Sequence, residues 1–220
     1  MDLSKEFLIS LLNIGTFIQF VSAIFSSFYF YKYKNSILKF FSFLLWYTFL
    51  NELLGIFIAD FISRFNALIY NIYHIINFLF LFIIYKKTIK NIKLKQYIKY
   101  FLLIYLIAFF INGFYENYLI EFQTIPHIIG ASLMLITIGF YFVELLNSEK
   151  VLNINRYLLF WISVGLLIFF VGNIPFRVVR NYYADLPGIS ILFLINIVLT
   201  IIMNICFIIG FICSSKKQLY

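Results

Sequence analysis

Charge is scarce in this sequence. Only 12% of its 220 residues are charged, about half the share usual in a soluble globular chain. No polar segment reaches 20 residues, which leaves no room within these residues for a soluble domain. Histidine and cysteine are scarcer still, at two each. The cysteines, Cys206 and Cys213, fall seven apart in one apolar run, about 10 Å along a helix axis, too far for an intrachain disulfide. They are expected to pack as small apolar side chains. No HExxH or CxxC spacing occurs, so no metal site is expected. No activated serine or cysteine nucleophile can be identified, so no catalytic residue is assigned. No cofactor motif is present, and the expected cofactor set is none.

What the chain has instead is apolar length. It is 64% hydrophobic with mean hydropathy +0.98, and carries 30 Phe and 17 Tyr. Seven apolar runs stand out, at about 7–31, 37–62, 67–85, 100–118, 124–146, 157–179 and 189–213. Each is long enough to cross a hydrocarbon core of roughly 30 Å at 1.5 Å per residue. The first run exceeds a signal-peptide core and is preceded by Asp2, Lys5 and Glu6 with no basic excess, so a retained spanning helix is expected there. The fold class is therefore all-α, a single polytopic seven-transmembrane-helix bundle in the lipid bilayer. Pro126 sits near the start of run five, where a missing amide is tolerated. Pro175 is expected to distort the last turn of run six.

The formal net charge of +8 would suggest nucleic acid in a soluble protein, but here the basic residues stand at the ends of apolar runs. Nucleic acid is not an expected partner. Thirteen of the 17 basic residues lie between runs one and two or in the first turn of run two, between runs three and four, between runs five and six, or in the C-terminal tail. Lys5, Arg64, Arg177 and Arg180 lie on the other face. By the positive-inside rule the N-terminus is expected outside and the C-terminus inside the cytoplasm. The stretch Lys86–Lys99 holds six lysines and no acid. It reads equally as a short basic surface helix or as a solvated loop.

Glu52 and His74 are the ionisable groups placed deep in apolar runs. Each lies eleven residues from Ser63, in the break between runs two and three, so a hairpin brings them to similar depth and within reach of each other. An intramembrane carboxylate is costly and usually faces the bundle interior, marking a functional site. A hydrogen-bonded pair that fixes helix register is the structural alternative. Asn71 and Asn77 flank His74 at three residues on either side, so this stripe should point away from lipid. His127 is the second histidine, and with His74 and Glu52 it makes a mixed site geometrically conceivable. Asn112, Asn173, Asn196, Thr200 and Asn204 add polar groups to runs four, six and seven. One by one these read as interhelical glue. Together they suggest an outward-facing polar pocket, with Arg177 and Arg180 near its rim. The ligand-binding or proton-responsive candidates are Glu52, His74, Asn71, Asn77, Asn173 and Asn196.

The segment FVELLNSEKVLNINRYLLFWISVGLLIFFVGNIPF from Phe142, with the close FIIGFICSSKK, resembles small uncharacterised seven-helix bacterial membrane proteins. It is similar also to the membrane sensor portion of histidine kinases, without the kinase. The resemblance implies a bacterial inner membrane location and transfers no site residue. The expected function is a receptor-like or accessory sensor that binds a small molecule or lipid and signals through a cytoplasmic or membrane partner. A proton-coupled or small-solute transporter using Glu52 is the alternative. An intramembrane lipid hydrolase with Glu52 and His74 as acid and base is a third.

Overall fold

A computed structural model describes residues 5–61, 67–182 and 189–215. Seven long helices follow one another: α1 (Lys5–Phe28), α2 (Lys39–Phe61), α3 (Ala67–Thr88), α4 (Ile92–Asn112), α5 (Thr124–Leu146), α6 (Leu158–Tyr182) and α7 (Ile189–Cys213). Short 3-10 turns occupy Phe30–Lys32 and Glu149–Arg156. There is no strand among the described residues. In lipid every backbone amide and carbonyl must be satisfied within its own segment, and a helix does this. All seven are long and apolar enough to span a bilayer, which makes this a multi-pass membrane protein. The chain forms two compact units, one of Met1–Ser36 with Asn153–Leu219 and one of Ile37–Leu152.

In the first unit α7 packs against both α1 and α6. Close approach of α6 to α7 rests on Gly165: a Cβ there would lie 2.9 Å from the Met203 carbonyl oxygen and 3.1 Å from the Cys206 Cβ. Small residues allow such backbone proximity where lipid supplies no hydrophobic drive between helices. Polar pairs add to it. Ser22 donates to Asn204 Oδ1 at 2.7 Å, and Asn173 donates to Asn196 Oδ1 at 2.7 Å. The Lys32 ammonium, on a side chain only 8% exposed, donates to the carbonyls of Phe211, Ile212 and Ser214, each at 2.9 Å. It also lies 4.3 Å from the centre of the Tyr29 ring. These carbonyls have no intrahelical donor, and a cation at the negative end of the helix dipole satisfies them. Lys32 therefore closes a helix end, a use beyond the orienting charge that composition assigns to it.

In the second unit α3 packs against α2, α4 and α5, and α4 against α5. Phe78, Leu81, Phe82 and Tyr85 of α3 are fully buried with Tyr105 of α4 and Met134 and Ile138 of α5. The start of α4 differs from both readings of the basic stretch. Asn91 caps the helix, its side-chain oxygen accepting from the amides of Lys93 and Leu94 at 2.9 and 3.4 Å. From Ile92 the lysine-bearing turns run without a break into the apolar segment. The 21 residues to Asn112 already give about 31 Å of helix, so the span starts and ends earlier than hydropathy alone places it. The link after it is correspondingly longer. The helix α6 continues through Pro175 to Tyr182, so the proline stands about two turns before the helix end and not in its last turn. Proline removes one amide donor, and a helix packed along its length tolerates that loss.

Candidate functional site

Asn71 and His74 share a buried stripe on α3 with Phe78, at 2%, 8% and 0% exposure. The spacing of three and four residues puts them on one helix face. Across from them α5 presents His127, 3% exposed. The two imidazoles meet edge to face, with ring centroids 4.5 Å apart and planes at 66°. His127 also lies against Phe78 at 5.6 Å, and Phe78 against Tyr105 at 4.9 Å. On the other side His74 touches Tyr73 at 5.4 Å. The pair therefore sits in an aromatic surround. The Tyr105 hydroxyl is buried and has no hydrogen-bond partner among the described residues.

A hydrogen-bonded network ties the helix ends beside the histidines. The Asn71 amide nitrogen donates to the carbonyls of Tyr118 and Glu121, both at 2.9 Å. Its oxygen accepts from the Gln123 amide at 3.1 Å. The Gln123 side chain accepts from Asn112 at 2.8 Å and donates to the Glu116 carbonyl at 3.0 Å. One Glu116 carboxylate oxygen accepts from Asn112 at 2.6 Å and from the Thr124 amide at 3.2 Å. The irregular link between α4 and α5 would otherwise bring unsatisfied backbone groups close to lipid. Asn71, Asn112, Glu116 and Gln123 hold it in one shape, so the imidazole pair rests on a junction common to α3, α4 and α5.

Of the residues singled out in the sequence, Asn71 and His74 come together here with His127. Glu52 lies half-buried on α2 and accepts from the Tyr70 hydroxyl at 3.3 Å. Tyr70 lies over Gly55, one turn on, where an added Cβ would meet the phenol oxygen at 2.6 Å. Thus the hydrogen bond described at Glu52 comes from Tyr70, and the imidazole against His74 is that of His127. Asn77 is half-buried on α3. Asn173 and Asn196 belong to the first unit, where they bond each other. Arg177 is half-buried; the Arg180 side chain and Ser63 and Arg64 lie outside the described residues. Sequence reasoning passed over Tyr70, Tyr105, Glu116 and Gln123 as site members. A tyrosine within a polar stripe and two acids in a short link were the available signals.

Chemically the histidine pair offers hydrogen-bond donors and acceptors in a low-dielectric interior. A neutral imidazole carries one of each, and an added proton converts its acceptor to a donor. Among the described residues no three His, Cys, Asp or Glu side chains are placed to hold a metal ion together. No protein family, curated protein or solved structure matches this chain.

Proposed function

We propose that this protein is a receptor-like or accessory sensor of the bacterial inner membrane, with its N-terminus outside and its C-terminus in the cytoplasm. It receives a small molecule, lipid or proton at the His74 and His127 pair and passes helix movement to a partner protein. The observation that carries this reading is the edge-to-face contact of two buried imidazoles at 4.5 Å, beside a polar network that joins three helices. Ionisable groups inside a membrane span are costly and are retained for function. A charge or ligand arriving between the rings acts in a low dielectric, where its effect on neighbouring polar groups is large. The junction held by Asn71 and Gln123 is the element such an event would shift.

The test is co-purification from native membranes combined with His74→Gln and His127→Gln. A reproducible partner is expected, and a signalling output that is lost in both variants while their expression and melting temperature stay near wild type. Isolation of the protein alone, with no output changed by its deletion, overturns the reading.

The contact between Tyr70 and Glu52 favours a second reading, a proton-coupled or small-solute carrier with Glu52 as the protonation site. Flux in proteoliposomes should then fall at least tenfold in Glu52→Gln. Unchanged flux removes Glu52 from any transport step.

A further inference from the structure

On α2, Thr48 and Glu52 stand one turn apart on one face, and on α3 Tyr70 and Tyr73 do the same. The two faces meet. Tyr70 donates to Glu52 Oε2 at 3.3 Å, and the Tyr73 hydroxyl lies 3.3 Å from Thr48 Oγ1. Tyr47, on α2, packs against the Tyr73 ring with centroids 5.8 Å apart. The Tyr70 phenol comes this close to α2 because Gly55 has no side chain to hold it off. Tyr47, Thr48, Glu52, Tyr70 and Tyr73 are all half-buried. Each therefore keeps some surface that a ligand can touch.

Glu52 lies inside the span Lys39–Ile58, where an ionised carboxylate needs an opposite charge or several hydrogen bonds. The described residues supply one phenol hydroxyl and no basic side chain within ion-pair range of Glu52. A carboxylate offers about four lone-pair positions, so the Tyr70 bond leaves most of its capacity for something else. A proton can neutralise it, and so can a cation that a ligand carries.

The lining decides which cation. A calcium ion takes roughly six to eight oxygen ligands, and among the described residues no three His, Cys, Asp or Glu side chains gather to hold a metal ion. Tyrosine rings, by contrast, attract an alkylated ammonium through their faces, and the attraction grows as water is excluded. One carboxylate among three tyrosines suits an organic cation with a single positive charge. We propose that the α2–α3 seam binds a small alkylated ammonium compound, with Glu52 as its counter-charge and the Tyr70 and Tyr73 rings as its walls. For its physiological role this assignment rests on the carrier reading of Glu52, and it names the solute as an organic cation.

The experiment is isothermal titration of the full chain in a maltoside detergent, using choline as the probe. Its uncharged isostere, in which a tert-butyl group replaces the trimethylammonium, is titrated separately. Wild type should bind choline and bind the isostere far more weakly. Glu52→Gln should lose choline affinity roughly tenfold or more, because charges in contact away from bulk water attract strongly. Tyr70→Phe keeps the ring and should change affinity by about twofold at most, whereas Tyr70→Leu should lose about fivefold. Glu149→Gln, an exposed acid outside the spans, should leave binding unchanged. Should Glu52→Gln not fold, Tyr70→Leu and Tyr73→Leu carry the test. Equal binding of choline and its isostere, unchanged affinity in Glu52→Gln, or an equal loss in Glu149→Gln overturns the proposal. Proteoliposomes separate it from the carrier reading. Glu52-dependent choline binding without choline uptake supports the site and overturns carriage, while Glu52-dependent flux of another solute without choline binding keeps the carrier and overturns the site.

Discussion

The two compact units use the same polar residue types for different ends. In the first unit, asparagines inside the spans bond across helices: Asn173 to Asn196, and Asn204 with Ser22. In the second, Asn71 and Asn112 bond to a segment that is not helical at all, holding the α4–α5 link in place beside two imidazoles. An amide in a transmembrane helix is therefore not evidence of a site by itself. Its partner decides: a side chain on a neighbouring helix means helix association, whereas irregular backbone means that the polar groups shape something other than helix packing.

This contrast breaks most easily at Lys32. If the first unit is held by its polar and close-packed contacts, Lys32→Met should destabilise it by about 3 kcal/mol. The substitution leaves the carbonyls of Phe211, Ile212 and Ser214 without their shared donor, and hydrogen bonds to charged groups are worth about 1.5–3 kcal/mol each before the protein relaxes. Equilibrium unfolding in mixed micelles measures the loss, and faster hydrogen exchange at the end of α7 locates it. A change below about 0.5 kcal/mol, within the scatter of ordinary surface substitutions, would mean that Lys32 serves the bilayer surface and not the helix end.

The next effect is smaller and is set by backbone proximity. Gly165→Ala places a Cβ 2.9 Å from the Met203 carbonyl oxygen, an atom that moves only if α7 moves. Overpacking of this kind should cost about 1–2 kcal/mol. Gly139→Ala on α5 meets nothing within 4 Å and should be neutral or slightly stabilising, since alanine is the better helix former by up to about 1 kcal/mol. Comparing the two melting temperatures under one condition sharpens the contrast. Equal shifts would show that α6 and α7 have room to separate.

The seven spans were legible because apolar run length translates directly into helix length in a bilayer. The start of α5 at Thr124 and its end at Leu146 coincide with the apolar run itself. Run four was misplaced because hydropathy penalises lysine, whereas an exposed lysine at a helix end can point to the headgroups while its neighbour Ile98 is fully buried. The cap at Asn91 was the local signal that the helix begins there. Of the site, His74 with Asn71 could be read from helical spacing. The sequence left a mixed site of His74, His127 and Glu52 only conceivable, and the edge-to-face contact of the two imidazoles was not legible in it. Tyr70 as the donor to Glu52 was not legible, because it depends on the bare surface that Gly55 leaves for the phenol.

The smallest predicted effect concerns the second unit and depends on pH. Lys150 has a folded-state pKa below its unfolded value, from burial first and the Lys90 charge second. Well below the folded pKa both states hold the proton, and the full penalty of the charged, partly desolvated group weighs on the folded state. As pH rises through the lowered pKa the folded state releases its proton before the unfolded state does, so stability rises with pH over that interval. Lys150→Gln lacks the group, so its melting temperature should exceed that of wild type by a degree or so at neutral pH, and the gap should close as pH climbs towards the ordinary lysine range. The comparison has to be made in neutral detergent. A gap that stays constant between neutral pH and the ordinary lysine range would show that the effect of Lys150→Gln comes from lost contacts and not from the titration of the ammonium.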